Sequence, residues 1–236
     1  MSSLHIHALS GAPEIGEGQN LAEAVLASLS TCGLSIEDHD VITVTSKVVS
    51  KSEGRVVPFD GTDEHKIALI ESESVRVLRR RGTLHIVETR HGFICANAGI
   101  DLSNTAEGTA VLLPLDPDKS ARKVRGDLER ATGKRVAVIV TDTFGRVWRT
   151  GVTDIAIGIA GLRPVQDLRG TVDHTGRTLE ATEVAVADEL AGAAHLVLGK
   201  AAKTPFALIR GVGAEHFGDA SVAEHLVRRA HDDLFR

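Results

Sequence analysis

The β-branched run Val138-Ile139-Val140 enters Thr141-Asp142-Thr143-Phe144-Gly145-Arg146, which carries the groups a metal-and-phosphate site needs. Asp142 could hold a hard cation through oxygen and Thr143 could add a hydroxyl ligand. Gly145 lets backbone approach an anion that Arg146 could clamp. An apolar run of this kind can be buried on both faces of a sheet, with the polar residues at its C-terminal edge projecting into a crevice. The segment alone reads equally well as a polar turn closing a strand.

Two other clusters share this vocabulary: Thr45-Ser46-Lys47-Val48-Val49-Ser50-Lys51, and Asp101 with Asn104. Phosphoryl transfer uses such a set, because carboxylate-held metal bridges phosphates and cations absorb developing charge. The fingerprints of P-loop, dinucleotide-binding and serine-hydrolase sites are missing. Lys47 and Lys51 are four apart, which on a helix puts them on one face, as a solvated pair or as a phosphate clamp. Asp101, after Gly99, reads by itself first as the start of an Asx-turn. His91 reads as a hydrogen-bonded structural residue and Cys95 as a small buried apolar one. Asp116 and Asp118 flank Pro117 and shape a turn or support a site from behind.

Strands are expected at 4–8, 41–44, 84–88, 135–140 and 206–209. Helices are expected from Leu21, capped by Asn20, over 65–80, over 120–132 before Gly133, and over 180–194, with a helical, polar remainder. The triplet Arg79-Arg80-Arg81 reads as a solvated helix end. Residues 90–104 read as a strand feeding a functional loop. Glycines among small apolar residues over 151–161 imply close backbone packing, against a ligand or within a core strand.

At 236 residues, 42% hydrophobic and 25% charged, the chain is a folded globular protein of one large or two small domains. A net charge of −5 with one Trp and no Tyr argues against nucleic acid as a partner. Cys32 and Cys95 form no Cys-x-x-Cys pattern, so a reducing cytoplasm fits. No run of about 18 apolar residues suggests a membrane span.

Together, Thr45 to Arg55, Asn97 to Asn104, Leu113 to Asp118, Thr141 to Arg146 and Thr182 to Glu189 resemble the coenzyme F420:L-glutamate ligase family over nearly the whole chain. The resemblance implies an α+β subunit, residues 1–236 forming one ligase domain of two interleaved subdomains, paired as an intertwined homodimer. It implies GTP-dependent joining of L-glutamate to the deazaflavin F420-0 through an acyl phosphate, giving γ-linked glutamate, GDP and phosphate. Mg²⁺ or Mn²⁺, two per subunit, and a stimulating K⁺ would assist. Asp101, Asp142 and Thr143 match metal positions, and Asn104 matches a GTP contact. Ala12-Pro13-Glu14-Ile15 resembles the first guanine-nucleotide segment, and Ser46, Lys47 and Lys51 the second. Lys51 and Arg146 are expected to stabilise transition-state charge. The segment 198–205 departs from a further nucleotide loop of archaeal members. Some bacterial relatives continue into a flavin-binding, nitroreductase-like domain, whereas this sequence stops before one. Alternatives are another nucleotide-dependent phosphotransferase or a non-catalytic deazaflavin-binding protein.

Overall fold

In the computed structural model, which describes residues 3–103, 105–199 and 204–235, the chain opens with β1 (His5–Ala8) and α1 (Leu21–Thr31). Asn20 caps α1 by accepting from Ala22 N at 2.9 Å, and Leu21, Ala22, Val25 and Leu29 bury one face. β2 (Val41–Thr45) then passes without a loop into α2 (Ser46–Ser52). β3 (Val56–Pro58), α3 (Asp63–Ser72), β4 (Ser74–Arg81), β5 (Leu84–Thr89), β6 (Ile94–Ala96) and β7 (Thr109–Val111) follow. The second half runs α4 (Pro117–Thr132), β8 (Ala137–Gly145), β9 (Val152–Ala160), β10 (Gln166–Asp167), β11 (Glu183–Val184), α5 (Val186–Leu198), β12 (Phe206–Arg210) and α6 (Val222–His225).

The main sheet has the order β1-β12-β2-β8-β9, in which only β2 and β8 run parallel. Smaller sheets pair β4-β5-β6, β3-β7 and β10-β11, so the fold is mixed α+β. Val41, Ile42, Val44, Val138, Ile139, Val140, Leu208 and Ile209 are wholly buried, which explains the unbroken apolar runs of the central strands. Each such side chain contributes about 1.5–3 kcal/mol of transfer free energy. No helix among the described residues is long and apolar enough to cross a membrane.

Four expectations need correction. The helix expected over 65–80 stops at Ser72, because Val75 and Val77 flank Arg76 at a strand's period of two and the segment pairs with β5 around Gly82. Arg79-Arg80-Arg81 therefore lies on that strand, where Arg80 pairs with Glu71 at 2.9 Å. The alanine-rich helix begins at Val186, after β11, rather than at 180. The C-terminal remainder holds only the four-residue α6 and short 3-10 turns.

Residues 151–161 carry β9, and Gly158 within it admits a helix. A Cβ on Gly158 would stand 2.3 Å from the Pro117 carbonyl, so α4 begins directly against β9. Asp116 caps that helix by accepting from Lys119 N at 2.8 Å. Buried Asp118 accepts from Ile159 N at 2.8 Å and Val222 N at 3.0 Å, tying α4 to both β9 and α6. Both aspartates are structural.

Candidate functional site

β8 does not end at Val140 but continues to Gly145, because β9 pairs with it throughout its polar end. Asp142 and Thr143 are therefore in-strand residues whose side chains leave opposite faces. The last parallel pair is Thr45 with Thr141, which sets Ser46, at the start of α2, beside Asp142. Ser46 Oγ donates to Asp142 Oδ1 at 2.7 Å. Burial pushes the Asp142 carboxyl up to about 7, and the Asp154 and Asp101 charges add to the rise. The Ser46 bond and the Thr143 N–H oppose it. Burial, with the Asp142 charge, pushes the nearby Cys95 thiol up to about 12, so Cys95 is a neutral wall.

Phe144 leaves the same face as Asp142 and meets Phe93 edge-on, with ring centroids 6.0 Å apart. Phe93 stacks on His91, whose Nε2 donates to Pro114 O at 2.8 Å. His91 is thus structural, as its sequence context implied, and burial lowers its pKa.

A strained turn delivers Asp101. Asn97, Ala98 and Gly99 have φ of 50°, 54° and 69°, three successive left-handed residues. Asn97 Oδ1 accepts from His85 N at 3.0 Å, and a Cβ on Gly99 would stand 2.7 Å from Leu113. Asp101 then exchanges both backbone bonds with Val111 at 2.9 Å. Its Oδ1 makes the Asx-turn with Ser103 N at 2.7 Å, while its Oδ2 pairs with Lys47 Nζ at 2.6 Å. The Asx-turn reading therefore holds on one oxygen, while the other faces Lys47. Burial works against ionisation, but the Lys47 and Ser103 bonds hold the carboxyl below its usual range.

Lys51, one turn along α2 from Lys47, pairs with Glu14 at 3.1 Å. The two segments that the resemblance matches to a guanine nucleotide thus lie together. Within the first, Ile15 is buried in the core, Ala12 packs against that core, and Pro13 and Glu14 are exposed. A bond from Gly18 N to Ser52 O at 2.9 Å fastens this loop to the end of α2. Asn104 and residues 200–203 lie outside the described residues, so the Asn104 assignment has no geometry here.

On the other face of β8, Thr143 Oγ1 donates to Asp154 Oδ1 at 2.6 Å, and His195 Nδ1 of α5 stands 2.5 Å from the same oxygen. The imidazole contact is an ion-pair distance rather than a formed hydrogen bond. Sequence reasoning missed both residues. Their one signal was an acid inside the apolar run of β9, since a buried carboxylate needs a partner. Arg146 is not gathered with the others: its guanidinium donates to Thr150 O at 3.0 Å inside the β8–β9 turn. Arg169 is held elsewhere, by Asp167 at 2.6 Å and Glu183 at 3.2 Å.

The donors around Asp142 are hard oxygens, and positive charge nearby would favour the ionised form of its buried carboxyl. That chemistry fits Mg²⁺ or Mn²⁺. Among the described residues, no three His, Cys, Asp or Glu side chains gather closely enough to hold a metal ion by themselves. A cation there would complete its shell with phosphate oxygens and water, as Mg²⁺ commonly does.

The sequence model of a family described as F420-0:Gamma-glutamyl ligase matches residues 11–211. Coenzyme F420:L-glutamate ligase of Methanothermobacter thermautotrophicus is 40% identical, across 96% of each chain. The protein of that name from Methanocaldococcus jannaschii is 38% identical over 94% of this chain and 92% of its own. The one from Archaeoglobus fulgidus is 38% identical over 99% and 96%. With a match through both halves of the site, the chain belongs to the F420-0:gamma-glutamyl ligase family.

Proposed function

We propose that this chain uses GTP to join L-glutamate to coenzyme F420-0, releasing GDP and phosphate. The observation carrying this reading is the meeting of Ser46–Asp142 with Lys47–Asp101 in a member of this family. A carboxylate is a poor electrophile and must be activated. Its oxygen attacks the γ-phosphorus of GTP, the bond to the bridging oxygen breaks, and GDP leaves. The glutamate amine then attacks the acyl carbon, phosphate leaves, and the amine's proton passes to solvent.

Ser46 keeps one Asp142 oxygen in place, and Lys47 keeps Asp101 ionised beside it. Lys51, facing the 12–15 loop, provides a charge-assisted donor to the nucleotide phosphates. Arg146 would have to leave Thr150 O to reach them, so it is the weaker candidate for transition-state charge. Asp101 and Asp142 on one face and Thr143 on the other would hold divalent cations, whose chemistry is neutralising charge on phosphate oxygens. The opposite facing of Asp142 and Thr143 favours two such ions over one shared ion. K⁺ stimulation and the homodimer belong to the same reading. Val147 and Trp148, 71% and 86% exposed at the β8–β9 turn, are apolar surface that a second copy would cover.

The test is incubation with F420-0, GTP, Mg²⁺ and glutamate, followed by mass spectrometry. A product heavier by one glutamate residue, formed with GDP, supports the proposal. GDP without glutamylation would favour a phosphotransferase with another acceptor. Tight F420-0 binding without GDP would favour a carrier.

A further inference from the structure

Asp154 has no part in the chemistry described above, yet its placement is costly and specific. It is 6% exposed and lies on β9 directly across from Thr143. Its Oδ1 receives the Thr143 hydroxyl at 2.6 Å and faces His195 Nδ1 at 2.5 Å. α5 is shaped to make that approach: a Cβ on Gly192, one turn before His195, would already stand 3.3 Å from Thr153 Oγ1. One turn earlier still, Asp188 Oδ1 accepts from Ala156 N at 2.9 Å, locking the helix to β9.

A threonine hydroxyl has one proton and two lone pairs. An oxygen that ligates a cation spends a lone pair, so its proton must be directed elsewhere. Asp154 accepts that proton. Oδ1 of Asp154 is already engaged by the Thr143 hydroxyl and faced by His195, so Asp154 acts through Thr143 rather than as a ligand. We propose that Asp154 is a positioning residue that engages the Thr143 proton and turns the hydroxyl lone pairs toward a divalent cation, with His195 holding the carboxylate in place. The proposal rests on the metal reading of Thr143.

The test is Mn²⁺ titration of the full chain saturated with a non-hydrolysable GTP analogue, with circular dichroism confirming that each variant is folded. Asp154→Ala is expected to weaken Mn²⁺ binding by about 10- to 100-fold, the usual effect of losing a ligand's outer partner. Asp154→Asn should stay within about threefold, because its amide oxygen still accepts from Thr143. Thr143→Val should lose as much as Asp154→Ala, and the double variant should lose no more than Thr143→Val alone. Wild-type affinity in Asp154→Ala, while Asp142→Asn and Thr143→Val lose theirs, would overturn this proposal alone. Losses that multiply in the double variant would also overturn it. Wild-type affinity in both Asp142→Asn and Thr143→Val would instead overturn the metal reading itself. Should Asp154→Ala fail to fold, His195→Ala carries the test, with weakening by several-fold expected and unchanged affinity contradicting the proposal.

Discussion

Ser46 Oγ donates to Asp142 Oδ1 at 2.7 Å across 96 residues of sequence. The contact exists because β2 and β8 are parallel neighbours, and one continues as a helix where the other continues as a strand. That arrangement puts a hydroxyl against a carboxylate at the strand ends, where open α/β sheets collect ligands.

Metal binding should depend on pH through Asp142. Its carboxyl sits near 7, so below that value a cation must displace a proton, and Mn²⁺ affinity should fall by up to about tenfold per pH unit. The Ser46 bond favours the ionised form, so Ser46→Ala should move this acid limb to higher pH. Mn²⁺ titrations from pH 6 to 9 would detect the move, and identical profiles would contradict the coupling. The sign for stability follows from the same shift. A carboxyl raised from 3.8 to about 7 on folding is favourable when protonated, so its contribution declines as pH rises through that window and is level above it.

Gly99 is expected to tolerate no side chain. It has φ of 69°, and an added Cβ would meet Leu113 at 2.7 Å. Gly99→Ala should cost about 1–2 kcal/mol for the left-handed backbone, before the clash with Leu113 is relieved. Urea unfolding would measure that cost. Because the turn aims Asp101, glutamylation should fall in the fraction that stays folded, and full activity would contradict the aiming role.

Lys51 should separate stability from function. Its partner Glu14 has a side chain 82% exposed, so the ion pair contributes under about 1 kcal/mol. Lys51→Ala should therefore melt close to wild type while KM for GTP rises by about tenfold or more, the value of a lost charge-assisted bond. An unchanged KM would remove Lys51 from the nucleotide site.

Trp148, at φ of 66° and 86% exposed, is the apolar surface that the proposed homodimer would cover. Analytical ultracentrifugation should find wild type as a dimer and Trp148→Asp shifted toward monomer. A monomeric wild type would contradict the homodimer.

Much of this architecture could be read from residue order, and the parts that could not have physical reasons. Asn20 and Gly133 announced helix ends because capping is local chemistry, whereas Asp116 read only as part of a turn, and the central strands announced themselves by unbroken β-branched runs. The α3–β4 boundary was hidden, since Ile67, Leu69, Ile70, Val75 and Val77 allow both periods until β5 is there to pair. Asp142 and Thr143 looked like a strand's end because they are polar; only β9, lying alongside, keeps them in the sheet and turns them to opposite faces. Asp101 and Ser46 could be joined to Asp142 by resemblance to a family, but not by spacing, which carries no record of which strands become neighbours. Asp154 signalled only that it needed a partner, and His195 escaped notice because only the packing of α5 on β9 makes them a pair.

Asp142→Asn tests the central claim most directly, that Asp142 and Asp101 are two halves of a metal site for GTP. The substitution keeps the shape and an oxygen that can accept from Ser46, while removing the charge. At saturating Mn²⁺, with the variant folded, formation of glutamylated F420 is expected to fall by about a thousandfold, in line with losing several kcal/mol of charge stabilisation. Turnover near that of wild type would contradict the claim.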